Sequence, residues 1–274
     1  MPYKEEKRTL NRTQEPDRMS AYIDSRINRG VQVIAFNRPE RKNALTVEMY
    51  ETLAALLQSA EQDGQVRCAV FTGHGGLFTS GNDIQDFVTR PPQTNDHPVL
   101  QFLRGLATFP KPMIAAVEGI AVGVGVTMLL HCDLVFVSRS AKLKLPFVNL
   151  ALCPEAGASV LLPERAGYPK AAELLLLGDT FSGEDAAAWG IANRISEPGM
   201  TLSDALAAAE RIAAQPPAAV RATLSLIRGW RQSATLDAIA REAEAFRERL
   251  NSPEAAEAFQ AFLEKRPPDF SRFT

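Results

Sequence analysis

Two rhythms of apolar and polar positions divide the chain. From about residue 22 to 195, short apolar runs alternate with stretches of helical period; beyond about 200 only the helical period remains. Tyr22 to Ile27 and Val31 to Asn37 read as strands joined by a turn at Asn28-Arg29-Gly30. Thr46 is placed to cap a helix running to about Ala60, with Met49, Leu53, Leu56 and Leu57 on one face and Asp63-Gly64 ending it. Val66 to Thr72 is a short, wholly apolar strand, so strand, helix and strand imply a right-handed parallel crossover. Residues 91–98 read as a mobile insert before a helix over Val99 to Thr108.

The stretch around which the rest is arranged is Lys111 to Asp133. A buried strand over Pro112 to Val117 passes through a small-residue turn at Glu118 to Val122 into a helix from about Gly123 to His131. Glycine there admits unusual backbone angles and close approach of another molecule. The first amides of a helix lack intrahelical partners and sit at its positive end, so such a corner can aim bare N–H groups at developing negative charge. Ser80-Gly81-Asn82-Asp83 is a second small, polar turn entering a helix. A tight packing corner explains each stretch equally well when it is taken alone.

After strand Leu134 to Ser138, helices are expected from a start at Pro154, then over Lys170 to Leu177, Gly183 to Trp189, Ser203 to Ala214, Pro217 to Trp230, Leu236 to Leu250 and Pro253 to Lys265. Three regions follow: a mobile tail over 1–20, a β/α core over 21–200 and a helical region over 201–274. Met19-Ser20 directly precedes the first strand, which makes Met19 a candidate natural start.

Composition narrows the function classes. The 274 residues carry a net charge of −2, which offers nothing to nucleic acid or an anionic membrane, and no apolar run spans a bilayer. Cys68, Cys132 and Cys153 lie in apolar surroundings and read as buried thiols of a reducing compartment. No Cys/His cluster has metal-ligand spacing, and His131 reads as a packed core histidine. Glu155 has two readings. It is either a carboxylate favoured by the dipole of a helix's first turn, or a base in an apolar pocket with Leu150, Leu152, Cys153 and Ala156 around it.

Taken together, NRPERKNAL (37–45), LFTSGNDI (77–84), KPMIAAVEGIAVGVGVTMLLHCDL (111–134), PFVNLALCPEAG (146–157) and FSGEDAAAWGIANRI (181–195) resemble the crotonase superfamily, the enoyl-CoA hydratase/isomerase fold. The resemblance spans roughly Tyr22 to Phe270. It implies an α/β spiral of β-β-α units, as in the ClpP/crotonase-like folds, with a helical C-terminal trimerisation region and assembly as a homotrimer or dimer of trimers. It implies an acyl-CoA thioester as substrate, coenzyme A being part of that substrate with no separate cofactor and no metal. The backbone amides of Asn82 and Val124 match the pair that holds the thioester oxygen. Lys42, Ala44, Leu45, Ser80, Gly81, Asp83 and Ile84 match CoA-contacting positions, and Phe262 and Lys265 match a pair that often reaches a neighbour's CoA. The two glutamates of the hydratases are replaced by Thr127 and Phe147. The single glutamate of the peroxisomal-type delta-3,delta-2-enoyl-CoA isomerases is matched by Glu155 in Pro154-Glu155-Ala156-Gly157, with Phe147, Leu150 and Cys153 as an expected dry pocket. The readings that follow are an isomerase centred on Glu155, a hydratase or lyase with an atypical site, and a non-catalytic acyl-CoA-binding protein. Cytoplasm is the expected location.

Overall fold

A computed structural model describes residues 20–273; the expected tail and the candidate start at Met19 lie outside the described residues. Ser20, expected as the end of that tail, is buried, and its amide donates to Thr52 Oγ1 at 2.8 Å.

Strands β1 (Ile23–Asn28) and β2 (Val31–Phe36) form an antiparallel hairpin. Arg29 and Gly30 both have positive φ (48° and 80°), the backbone that a two-residue hairpin turn demands. Helix α1 (Val47–Gln62) starts at Thr46, whose side chain accepts from the Met49 amide. Then come β3 (Cys68–Gly73), α2 (Ile84–Thr89), α3 (Pro98–Thr108), β4 (Met113–Val117), β5 (Ile120–Val122) and α4 (Val124–Thr127). Helix α4 tightens into a 3-10 turn over Met128–His131. The chain continues through β6 (Leu134–Ser138), β7 (Lys142–Lys144), α5 (Ala158–Ala166), α6 (Tyr168–Leu177), β8 (Phe181–Ser182), α7 (Gly183–Ala188) and β9 (Arg194–Ser196). It closes with α8 (Thr201–Ala213), α9 (Pro217–Leu250) and α10 (Pro253–Glu264).

The main sheet has the order β1-β2-β3-β4-β6-β9 and is parallel except for β1. Alternate side chains point to opposite faces of a strand, and here both faces are covered. Ile34, Phe36, Phe71, Ala115 and Val117 enter the large core beneath α1 and α3. Val33, Val70, Ile114 and Phe136 pack against Ala205 and Ala209 of α8. That double burial explains why the strands read as continuous apolar runs. A smaller sheet, β5-β7-β8, lies between the β4–α4 corner and the C-terminal half of the core.

Four expectations change. The turn over Glu118 to Val122 contains β5, three apolar residues too few to show a period, which pairing with β7 draws into a sheet. Strands β7 and β8 are too short to leave a period. The two helices expected on either side of residues 231–235 are one 34-residue helix, because nothing between Trp230 and Leu236 forces a break. The helix expected from Pro154 begins only at Ala158: Ala156 (φ 62°) and Gly157 (φ 73°) hold the left-handed region, which no continuing α-helix tolerates. The helical region from 201 closes on the core. Ala243, Phe246, Ala255 and Phe259 belong to the large core.

Candidate active site

Residues 77–82 run alongside β5. The Phe78 amide donates to Glu118 O and the Thr79 amide to Ile120 O, while the Val122 amide donates back to Thr79 O. This pairing sets Gly81-Asn82 beside Gly123-Val124. Gly81 has φ 86°, and a Cβ there would lie 2.7 Å from Val122 O, so both the backbone angle and the space require glycine. Gly123 (φ 55°) turns the chain so that Val124 becomes the first residue of α4. Gly125, one residue on, abuts Thr79: a Cβ would meet its Cγ2 at 2.7 Å. Among the described residues, neither the Asn82 nor the Val124 amide donates to another protein group. The site therefore offers two neighbouring free N–H groups, one at a helix's positive end.

Asn43 organises the loop that precedes them. Fully buried, it accepts from the Arg38 amide and donates through Nδ2 to the carbonyls of His74, Leu77 and Phe78. Thr79 Oγ1 donates to Asn43 O and accepts from the Gly81 amide. Tyr50 of α1 donates its hydroxyl to Asn82 Oδ1 at 2.5 Å. Burial, and secondarily the charge of Glu155, raise the Tyr50 hydroxyl well above its usual range, so it remains a donor.

Glu155 is 8% exposed, and its Oε1 accepts from Thr127 Oγ1 at 2.6 Å. Burial pushes its carboxyl up to about 7; the Thr127 hydrogen bond pulls down, and the charge of Glu242 pushes further up. Glu155 thus titrates near neutrality, where a carboxyl serves as both base and acid. The carboxylate that caps α5 is a different one. Glu242 of α9 accepts from the Gly157 and Ser159 amides at 2.6 and 2.8 Å. The helix-capping reading of Glu155 therefore loses its geometry.

Asn82 and Glu155 share a narrow cleft partly open to solvent, with Phe87, Leu100, Leu103, Ile239 and Phe246 among its apolar walls. The Phe87 and Phe246 rings meet edge to face, 5.8 Å between centroids. The pocket expected from Phe147, Leu150 and Cys153 is not this one. Phe147 is buried in the core, Leu150 packs against the core, and Cys153 sits half-buried with its thiol toward Glu242 O; none of the three lines the cavity. Of the residues expected around Glu155 from the local sequence, Ala156 alone lines the cavity with it.

The expected CoA-contacting positions fall into two groups. Leu45 and Asn82 form a β-bridge, and the Ser80 amide donates to Lys42 O, so the 42–45 and 80–84 segments lie together. Asp83 caps α2 and pairs with Arg38 at 2.7 Å, which holds it below the usual carboxylate range despite the opposing cost of burial. Ala44 is half-buried and accepts from Arg38, Ile84 packs against the core, and Lys42 is exposed. Phe262 and Lys265 stand exposed at the far end of α10, away from the lining of the cavity.

His131 is buried, and its Nε2 donates to Ala156 O at 2.7 Å; burial lowers its pKa to about 4, so the ring is neutral. Burial pushes Cys68 and Cys132 up to about 12 and Cys153 to about 11, leaving thiols rather than nucleophilic thiolates. Among the described residues no group of three or more His, Cys, Asp or Glu side chains is placed to hold a metal ion. The sequence reading gave no role to Tyr50, Asn43, Thr79 or Glu242. A helical period through 239, 242, 243 and 246 would have pointed to Glu242 as a polar residue on a buried face.

The enoyl-CoA hydratase/isomerase family model matches residues 26–272. The 1,2-epoxyphenylacetyl-CoA isomerase of Escherichia coli is 35% identical over 266 residues, covering 92% of this chain and 99% of that one. The rat enoyl-CoA delta isomerase 2 is 32% identical, covering 87% of this chain and 62% of that longer protein, while other relatives carry hydratase names. The structure of Pseudomonas aeruginosa OdaA superposes with a TM-score of 0.86 at 48% identity, covering 89% of this chain and 99% of that one. With its spiral of strands and helices, its paired free amides and these relatives, the chain belongs to the enoyl-CoA hydratase/isomerase family, the crotonase superfamily.

Proposed function

We propose that the protein shifts the double bond of a 3-enoyl-CoA to the 2-position, with Glu155 as the single acid and base. One observation carries this reading: Glu155 is a buried carboxylate titrating at about 7 in an apolar cavity that it shares with Asn82. In the proposed reaction the ionised Glu155 removes a proton from the alpha carbon. Negative charge moves to the thioester oxygen, where the Asn82 and Val124 amides receive it, each worth about 3 kcal/mol of transition-state stabilisation. The protonated Glu155 then returns its proton to the gamma carbon, giving the conjugated thioester and regenerating the base. Positioned proton transfer contributes about 10²- to 10⁴-fold.

Two features favour isomerisation over hydration. Water addition needs a second acid–base group, and Thr127 and Phe147 stand where the hydratase glutamates fall. Thr127 spends its hydroxyl on Glu155, and Phe147 is buried in the core. The enoyl-CoA delta isomerases among the relatives are in keeping with this choice, while others of similar identity carry hydratase names. The lysine and loop positions from 42 to 45 and 80 to 84 form the proposed CoA-binding edge. Exposed Val148, Leu176, Leu177, Phe262 and Leu263 lie on elements that pack together, an apolar patch through which the proposed trimer would associate. Sedimentation analysis at micromolar concentration would show a monomer if that is wrong.

The test of the activity is a 3-enoyl-CoA assay following the rise of the conjugated thioester, with 2-enoyl-CoA hydration run in parallel. Glu155→Gln is expected to lose at least about 10²-fold in isomerisation while still binding acyl-CoA. Brisk hydration unchanged by Glu155→Gln would replace the isomerase reading with an atypical hydratase.

A further inference from the structure

The carboxylate of Glu155 projects from a turn that is not self-supporting. Ala156 carries a Cβ yet has φ 62°, and Gly157 follows at φ 73°. The turn is gripped from two sides. From one side, Thr127 and His131, four residues apart on α4 and its 3-10 continuation, donate to Glu155 Oε1 and to Ala156 O. From the other, Glu242 accepts from the Gly157 and Ser159 amides. Glu242 lies on the face of α9 whose neighbours Ile239, Ala243 and Phe246 line the cavity, so one helix face shapes the cavity and anchors the turn.

The geometry points to Glu242 as the positioning residue of the site: from α9 it ties down the Ala156-Gly157 reversal and so aims the Glu155 carboxylate into the cavity. This inference rests on the proposed role of Glu155. Both oxygens of Glu242 are occupied as acceptors from backbone amides, which suits the ionised form although burial raises its pKa. Its charge is one of the influences holding Glu155 near 7. Burial, and after it the charge of the pair, raises Tyr50 of α1 and Cys153 of the turn that leads to Glu155, and Arg241 beside Glu242 on α9 pulls the Glu242 carboxyl down against the effect of burial.

The experiment compares wild type, Glu242→Gln and Glu242→Asp by isomerisation kinetics and by ¹³C-carboxyl NMR titration of Glu155, its signal assigned by loss in Glu155→Gln. For Glu242→Gln, kcat is expected to fall about 10- to 100-fold through misplacement of the base, with KM within about threefold. The Glu155 midpoint is expected to fall by about half a pH unit or more as the neighbouring charge is lost. Glu242→Asp keeps the charge but shortens the reach, so kcat falls while the midpoint stays. It also decides the matter if Glu242→Gln does not fold. A Glu242→Gln protein with kcat and midpoint both unchanged would reduce Glu242 to a plain helix cap and overturn the proposal. If Glu155→Gln leaves isomerisation intact, the reading of Glu155 fails separately. The positioning role then has no base to act on and falls with it, an outcome distinct from Glu242→Gln leaving kcat unchanged while Glu155→Gln abolishes it.

Discussion

The two halves of the site are built on different principles. The amide half, Gly81-Asn82 and Gly123-Val124, is made of backbone and held by neighbours at short range along β5. The carboxylate half is made of side chains drawn from remote parts of the chain: Thr127 from α4, Glu155 from the turn before α5, and Glu242 from α9. A backbone donor needs only the right turn, and glycines in a short stretch supply it. A base that titrates near neutrality needs a dry surrounding and a set of partners, which no short stretch can supply. The first half is fixed by backbone angles and by backbone pairing with β5, and the second is tunable through side chains far away in sequence.

This contrast is open to direct attack. The largest effect is expected at the backbone half. Gly81→Val puts a branched side chain at φ 86° against Val122 O, and kcat should fall by about 10²-fold or more, as for loss of an oxyanion donor. Retained kcat would mean that the Asn82 amide does not act on the substrate. Circular dichroism and thermal unfolding must accompany the assay, since a strained residue of this kind costs about 1–3 kcal/mol.

A middle-sized effect is expected at Thr127. Its hydroxyl stabilises the ionised Glu155, so Thr127→Val raises the Glu155 pKa further above about 7. In wild type, kcat/KM should rise with pH up to about 7 and then level off, because the carboxylate is the active form. In Thr127→Val that limb moves to higher pH, activity at neutral pH falls about 3- to 10-fold, and part of it returns in alkaline buffer. An unmoved limb would show that the hydrogen bond contributes nothing to the titration.

The smallest effect is on stability. The folded pKa of Glu155, about 7, lies above its ordinary 4.5. The folded state therefore holds the proton more tightly, and stability is lost as pH rises through the window from about 4.5 to 7. Glu155→Gln removes this penalty. The variant should exceed wild type by about 1–3 kcal/mol at pH 8 and by much less at pH 5, read from urea unfolding. A gain independent of pH would point to packing rather than charge.

Much of the fold was legible. The doubly buried strands announced themselves as apolar runs, Thr46 capped its helix, and Asn28-Arg29-Gly30 turned its hairpin. The miscalled elements share a cause. Strands β5, β7 and β8 exist only because each finds a partner, and the break expected near residue 231 had no physical agent. The pocket was misplaced for a related reason. Phe147, Leu150 and Cys153 are close to Glu155 along the chain, but the walls beside its carboxylate come from α2, α3 and α9.

Residue order dictates the glycine corners, the alternation of strand and helix, and the presence of one carboxylate in a Pro-Glu-Ala-Gly turn. These are local matters of backbone angle and side-chain period. Which carboxylate lies in the cavity and which caps α5 is decided only once α9 lies against that turn. Glu242 then occupies the α5 amides and leaves Glu155 in the cavity, where desolvation, a property of the packed surroundings, lifts its pKa to about 7.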